Sequence, residues 1–557
     1  MYKKYLFKLV CILLLSCQTE KTTFRQIPIE TYRDKMKGAW VGQMAGVGWG
    51  LPTEFDYIDT IIPENEVPEW QNSMVNQQGN DDLYVEMTFL QSMEKYGTDV
   101  SIRQAGIDFA NTGYNLWAAN FTGRENLRFG IAPPASSHPE YNINADDIDY
   151  QIEADYSGII APGMPNVAIA LGEKFGRLMN YGDGLYGGQF VGGMYAAAYF
   201  TNSIDSVIAA GLACIPDESL YAQIIGDVVK WHQQEPENWQ KTWGEIMDKY
   251  YRNSTHQPFA SENEEVWVGI DSKVNGAYIV MGLLYGQGDM EKTIRISMRC
   301  GLDSDCNPSN AAGILGAMMG YEKIPEKFKT GLDEHRKFSY SDYDFNKLLE
   351  VSESFTRSLI EQQGGKIEQK NGHEIFYIPH QKPQPSPFYA SYNPGPLPGD
   401  TFYTTAEMDD IKAWSIHHFD TALNKAGITY EIRHCSKSVT LGYQAWNGLD
   451  EVFRTAPLSK NRSVRLFIRY KNDSIHLNKT PYLVFRAGHD PGKEWNLKIK
   501  TSDGPVNYSI SEKTTVNGWY QIDFKLNNEE NIQLDMEAGA VGEPATQYWE
   551  KFAIVFR

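Results

Sequence analysis

The chain has no apolar run long enough to span a bilayer, no excess of positive charge, few cysteines and no internal repeat, and each absence removes a class of protein. Among its 557 residues, 51 Lys and Arg stand against 71 Asp and Glu, a net charge of −20. Such a balance repels phosphate backbones, which argues against nucleic acid as a partner. The six cysteines follow no zinc spacing and no dense disulfide framework, and Cys214, Cys300 and Cys435 read as small buried residues. No G-x-S-x-G elbow occurs, and none of the eleven histidines sits in a nucleophile motif, so a Ser-His-Asp hydrolase is disfavoured. What remains is an ordinary globular composition, 42% hydrophobic and 22% charged, with a mean hydropathy of −0.45. The length predicts two to four domains with sizeable cores.

Lys3, Lys4 and Lys8 precede the apolar stretch Leu9 to Leu15, and Ser16-Cys17 follows. This is the pattern of a signal peptide over 1–17. Leu14-Leu15-Ser16-Cys17 resembles the bacterial lipobox, in which the cysteine is acylated and becomes the first residue of the mature chain. The expectation is a lipid-anchored protein of the bacterial cell envelope, facing the periplasm or the exterior and touching membrane only through its lipid. A plain signal peptide with a chance cysteine is the alternative.

Residues 25–365 are rich in small residues and helical spacings. Leu83, Met87 and Leu90 fall on one helical face, Ile204–Leu212 is amphipathic, and the glycines and alanines between Gly187 and Ala198 suit a helix that neighbours approach closely. An all-α domain is expected here. Seven prolines lie between Pro379 and Pro398, so 379–400 reads as a linker. Over 401–557 the pattern becomes short alternating runs, such as Ile428–Ile432, Val464–Tyr470, Trp495–Ile499, Trp519–Phe524 and Phe552–Phe556. These predict an antiparallel β-sandwich of jelly-roll type. Its Trp495, Trp519 and Trp549 would either fill the core or form a platform for sugar.

Two acidic motifs precede helix-like runs: Gly79-Asn80-Asp81-Asp82, and Gly301-Leu302-Asp303-Ser304-Asp305-Cys306-Asn307-Pro308. Short polar residues at a helix start cap orphan amides and favour the macrodipole, and capping needs only one. Each motif supplies two carboxylates. Were the pairs to meet in one cleft, two charges ~4 Å apart would repel by about 4 kcal/mol at an effective dielectric of about 20. A bound cation removes that penalty, and hard oxygen ligands suit Mg²⁺ or Mn²⁺.

At these motifs the chain resembles the ADP-ribosylglycohydrolase family. The similarity starts at Lys37-Gly38-Ala39-Trp40-Val41-Gly42-Gln43-Met44-Ala45-Gly46 and runs through Pro52-Thr53-Glu54-Phe55 and Asn80-Asp81-Asp82. It closes with Gly301 to Cys306 and the helix carrying Gly313, Gly316 and Gly320. The resemblance implies an all-α bundle with two Mg²⁺ ions, or Mn²⁺, in its cleft. It further implies hydrolysis of the bond at the anomeric carbon of a ribose. Asn80, Asp81 and Asp82 would line one side of the metal pair, and Asp303, Asp305 and Cys306 the other. Glu54 would approach the reacting centre, unless it is an exposed loop acid. A water deprotonated by Asp82 or Glu54 would attack the sugar. Asp155, Tyr156 and Gly158 fall where the family has a substrate-facing loop, although Asp155 equally suits a helix cap. Gly182 and Asp183 replace a segment near the distal part of the substrate. The chain departs from the family at Gln43, Asn80 and Cys306, where an acid and two threonines are usual. Cys306 fits either the core or the cleft.

The expected function is therefore metal-dependent hydrolysis of an N- or O-glycosidic bond to a ribose-like sugar. The substrate would be a small glycoside, a glycan or an ADP-ribosylated molecule. The alternatives are an extracellular glycan-degrading glycosidase of the same fold and a non-catalytic glycan- or nucleotide-binding lipoprotein.

Overall fold

The computed structural model describes residues 23–391 except 129–130 and 253–267, then 394–401 and scattered positions to 411, and beyond them strands between Ile428 and Phe556. The signal peptide and lipobox expected over 1–17 lie outside the described residues. Among the described residues no helix is long and apolar enough to cross a membrane.

The helix Ile29–Gly50 runs through the interior and is buried on nearly every side over its second half, as its small and apolar residues dictate. Gly38, Gly42, Gly46 and Gly50 recur at every fourth position, on one face. A Cβ at each would strike backbone of the segment 304–321: the carbonyls of Gly316, Ala312, Pro308 and Ser304 respectively. The helix Cys306–Met319 therefore lies backbone to backbone along this stripe. Its acidic amino end is thereby fixed beside the carboxyl end of Ile29–Gly50 and the Thr53-Glu54 turn that follows. Gly46→Val is expected to destabilise the protein by about 3 kcal/mol or more, because the overlap is with backbone that cannot repack. Urea unfolding checks this, and a change within about 0.5 kcal/mol, the range of a neutral surface substitution, would contradict the packing.

The other helical expectations can be placed directly. Leu83, Met87 and Leu90 are buried on the helix Asp81–Tyr96. Ile204–Leu212 is a helix over that range. Against the helix Asp183–Ala198, Gly158 approaches the Gly192 carbonyl where a Cβ on Gly158 would strike it, and Gly192 leaves room for the Ser157 hydroxyl. The region is mostly rather than entirely helical. Phe24–Pro28 pairs antiparallel with His373–Pro379, which pairs with Lys366–Lys370. Asn371 and Gly372 join the last two strands, both at positive φ (53° and 82°), and Lys370 faces His373. An Asn-Gly pair supplies the turn chemistry a two-residue hairpin requires, and helical periodicity does not register it.

The Pro-rich segment packs along the helices. Tyr186 Oη donates to the Pro387 carbonyl at 2.9 Å, Gln189 Nε2 to Ser386 Oγ at 2.8 Å, and the Asp183 amide to Ser391 Oγ at 2.9 Å. Beyond it the strands form two antiparallel sheets. In one the order is Gly504–Pro505, Trp495–Thr501, Glu529–Ala538, Ser463–Asn472, Ile428–His434; in the other it is Ser509–Thr515, Trp519–Lys525, Pro481–His489, Gln547–Phe556, Leu449–Pro457, Val439–Trp446. The alternating runs named above are all strands. The side chains of Trp495, Trp519 and Trp549 lie outside the described residues.

Candidate active site and metal centre

Three short segments build the site. The first is the loop Gly301–Asp305, which turns sharply with Gly301 at φ 80° and Leu302 at φ 57°. The second is the turn after Ile29–Gly50, where Phe55 also has positive φ (55°). The two are tied together: the Phe55 amide donates to the Leu302 carbonyl at 3.0 Å, the Leu302 amide to the Tyr57 carbonyl at 2.9 Å, and the Thr53 and Ser304 hydroxyls lie 2.9 Å apart. Glu54 is thereby held over the loop carrying Asp303 and Asp305. The third segment is the start of Asp81–Tyr96. There the Asp82 amide donates to the Asn80 side chain at 3.0 Å, so Asn80 caps the helix as its residue type prefers.

The segments converge. The Cys306 thiol donates to Asp82 Oδ1 at 3.2 Å and lies 3.6 Å from Asp305 Oδ1. Ligating atoms of Asp303, Asp305 and Cys306 fall within 4.8 Å of one another, and all three residues are buried. Asp82 is fully buried, and its Oδ2 has no hydrogen-bond partner. Burial and mutual repulsion act on the whole set. Burial, with Glu54 and Asp82 nearby, pushes Asp303 up to about 7. Burial, with Asp81 and Asp305, raises Asp82 well above the usual carboxylate range; burial and Asp303 do the same to Asp305. Burial also raises Asp81. Glu54 reaches solvent, yet partial burial and the carboxylates of Asp305 and Asp81 lift it to about 8. Clustered acids with an orphaned buried oxygen, and among the described residues no ion-pair partner for any of them, are what a divalent cation would neutralise. Asn80, Asp81, Asp82, Asp303, Asp305 and Cys306 therefore fit a metal ion, with the thiol the one soft donor.

A cleft of about 790 Å³ opens from this cluster. Glu54, Asn80, Asp81, Asp303 and Cys306 of the cluster line it together with Asp149 and Asn144; Leu51, Phe55, Tyr84, Trp117, Ile148, Ile152 and Ile270 supply its apolar walls. Part of the floor comes from a backbone bridge in which the Ile148 amide donates to the Ile270 carbonyl at 3.0 Å. Asp82 and Asp305 sit behind the wall rather than on it, while Glu54, Asp81 and Asp303 combine a raised affinity for protons with a place on the cleft; of these three, Glu54 is the exposed one.

The substrate-binding expectations need correction. Asp155 is fully buried, accepting from Tyr195 Oη and Asn310 Nδ2, both at 2.6 Å. Tyr156 is buried between Phe89 and Phe175, and its amide donates to Glu86 Oε2 at 2.9 Å. Gly158 is pressed against Gly192 and Tyr195. Gly182, at φ 55°, abuts Ser391, while Asp183 accepts from the Tyr221 amide at 3.0 Å. None of the five lines the cleft; each organises packing. The cleft instead uses Ile148, Asp149 and Ile152 a few residues upstream, together with Trp117, Asn144 and Ile270, which sequence reasoning missed. The run Asn142-Ile143-Asn144-Ala145-Asp146-Asp147-Ile148-Asp149 was the available signal.

The fold is a mostly helical domain whose remote acidic loops meet around a cleft, a candidate metal site. The family model for ADP-ribosylglycohydrolase matches residues 28–363, and the chain belongs to that family, whose function is of the glycosyl-hydrolase type. A solved structure described as an ADP-ribosylglycohydrolase-related protein complex is similar at 12% identity and a TM-score of 0.37, covering 59% of this chain and 99% of that one. No curated protein matches.

Proposed function

We propose that this protein hydrolyses a glycosidic bond at the anomeric carbon of a ribose-like furanose, with one or two divalent ions, Mg²⁺ or Mn²⁺, as cofactor. The observation that carries the reading is the meeting of Asp82 with Asp305 and Cys306, contributed by segments far apart in the chain. Asp81, Asp82, Asp303 and Asp305, with Asn80 and Cys306, would hold the metal. Bound there, it supplies Lewis acidity toward sugar oxygens and offsets the carboxylate charge. Glu54, facing the cleft, takes the proton of the attacking water and stabilises charge developing in the sugar. Asp82, buried behind the wall, serves the metal rather than acting as base. The lysine-rich, apolar amino terminus supports export and lipid anchoring at the bacterial cell envelope, where an extracellular glycoside is the accessible substrate.

The test is release of the free sugar from furanosides by the full mature chain, with and without chelator. Activity lost to chelator and restored by Mg²⁺ or Mn²⁺ supports the reading. Calorimetric indifference to both ions, unchanged by Asp303→Ala or Asp81→Ala, would instead mark a binding protein. Cys306→Thr is expected to shift metal preference toward Mg²⁺ by about tenfold relative to Mn²⁺, because a hydroxyl replaces a soft donor. Competition calorimetry reads the ratio, and an unchanged ratio would remove Cys306 from the metal.

A further inference from the structure

The cleft carries its own statement about the charge of its ligand. Among the described residues its lining holds acids but no Lys, Arg or His. Nearby cations are committed elsewhere. Lys273 is buried between Asp271 and Asp146, and buried Arg124 donates to the Tyr114 carbonyl at 2.6 Å.

A helix amino terminus is the other common way to bind a phosphate, and here the protein's own acids fill it. The helix Ala118–Arg128 begins at the cleft wall. Its first free amides are already taken: Ala119 N donates to Asp147 Oδ2 at 2.7 Å, and Asn120 N to Asp149 Oδ2. At Asp81–Tyr96 the amino terminus is capped by Asn80 and already bears Asp81 and Asp82. Among the described lining residues a diphosphate would find neither a guanidinium nor an ammonium, both of these helix amino termini are occupied, and the charge of a divalent ion held there is already offset by the carboxylates.

The apolar part of the lining suits a different ligand. Trp117 lines the cleft while remaining 58% exposed, next to Ala118 in a left-handed conformation (φ 44°). It offers an aromatic face on which a ring can stack.

We propose that the cleft selects an uncharged glycoside, with the furanose at the acidic cluster and a flat-faced second ring against Trp117, and that it rejects nucleoside-diphosphate sugars. This rests on the glycosidase reading above and names its substrate class. The second ring has two sources, a neighbouring sugar or the base of a nucleoside, which share this chemistry.

The full mature chain with Mn²⁺ is titrated with methyl ribofuranoside, a neutral furanosyl disaccharide, inosine and ADP-ribose, following heat and tryptophan fluorescence. Hydrolysis is measured in parallel on the disaccharide, on inosine and on ADP-ribosyl-arginine. The disaccharide or inosine should bind at least about tenfold more tightly than ADP-ribose, the ratio expected when a charged group gains no partner. Whichever of the two binds more tightly identifies the second ring. Trp117→Ala should raise KM for that ligand by about tenfold, in the range of a lost ring stack, with kcat little changed and no loss of affinity for methyl ribofuranoside. Trp117→Phe should restore most of the affinity, which a mere folding defect would not allow. Tighter binding of ADP-ribose, or methyl ribofuranoside bound as well as both larger neutral ligands, overturns the proposal while leaving the glycosidase reading intact. Absence of hydrolysis on every substrate ends the glycosidase reading, and the binding order still decides the charge preference.

Discussion

Glu54→Gln is expected to lower kcat by about 10²- to 10⁴-fold, the span of a lost general base, while KM and divalent-ion affinity change little. Glutamine keeps the shape of the side chain and its place over the Gly301–Asp305 loop, since the ties between the two segments are the Phe55 and Leu302 backbones and the Thr53 and Ser304 hydroxyls. It removes only the capacity to take a proton. That capacity is unusual here. Partial burial and the fields of Asp305 and Asp81 lift the carboxyl to about 8, so without metal the group is largely protonated at neutral pH. A divalent ion among the neighbouring acids would lower it again and free the carboxylate to act. The wild-type rate should therefore rise with pH along a limb set by Glu54, and the limb should be missing from whatever activity the variant keeps. Steady-state kinetics across pH 5 to 9 gives both readouts. A loss confined to KM would assign Glu54 to substrate binding instead.

The parts of this site legible in the sequence were those whose chemistry exceeds what local structure needs. Asn80 alone suffices to cap Asp81–Tyr96, so the two following aspartates pointed to something further; at Cys306–Met319 the Cys306 amide donates to Asp303 at 3.4 Å while Asp305 caps no amide, so there one carboxylate exceeds the local need. Where local structure uses the same residue types, sequence could not choose. Asp149 and Asp155 both stand at short helix starts in an acidic stretch, yet only Asp149 lines the cleft, because the bridge between Ile148 and Ile270 brings a distant segment alongside it. Asp155 is instead claimed by Tyr195 and Asn310. Cys306 had been open between core and cleft. It belongs to both, packed with Ile148 and Ile152 while its thiol meets Asp82. Trp117 follows no period at all, and only its exposure on a cavity wall distinguishes it. The stripe of Gly38, Gly42, Gly46 and Gly50 was readable as a spacing, but its target, the backbone of Cys306–Met319, is a tertiary fact.

The metal-free protein should lose stability as pH rises from about 4 to about 7, the reverse of the usual behaviour of paired carboxylates. Asp303 shows why. In the unfolded chain it ionises near 3.8; in the folded protein burial, with Glu54 and Asp82, holds it protonated up to about 7. Between those values the folded state binds more protons than the unfolded one, so each step up in pH favours unfolding, and the effect levels off above the folded value. For Asp303 alone the displacement corresponds to roughly 4 kcal/mol. Asp81, Asp82 and Asp305 are raised as well and act in the same direction. Divalent ions should oppose this trend. They bind the ionised carboxylates, so their stabilisation grows with pH and with free ion concentration. Melting temperatures from pH 4.5 to 8, in chelator and in excess Mn²⁺, should start close together and diverge as pH rises. Asp303→Asn should flatten the chelator curve, raise its high-pH end by removing one repelling charge, and weaken the response to metal. Parallel curves in chelator and Mn²⁺, or an Asp303→Asn protein that responds to metal as wild type does, would mean these acids do not share an ion.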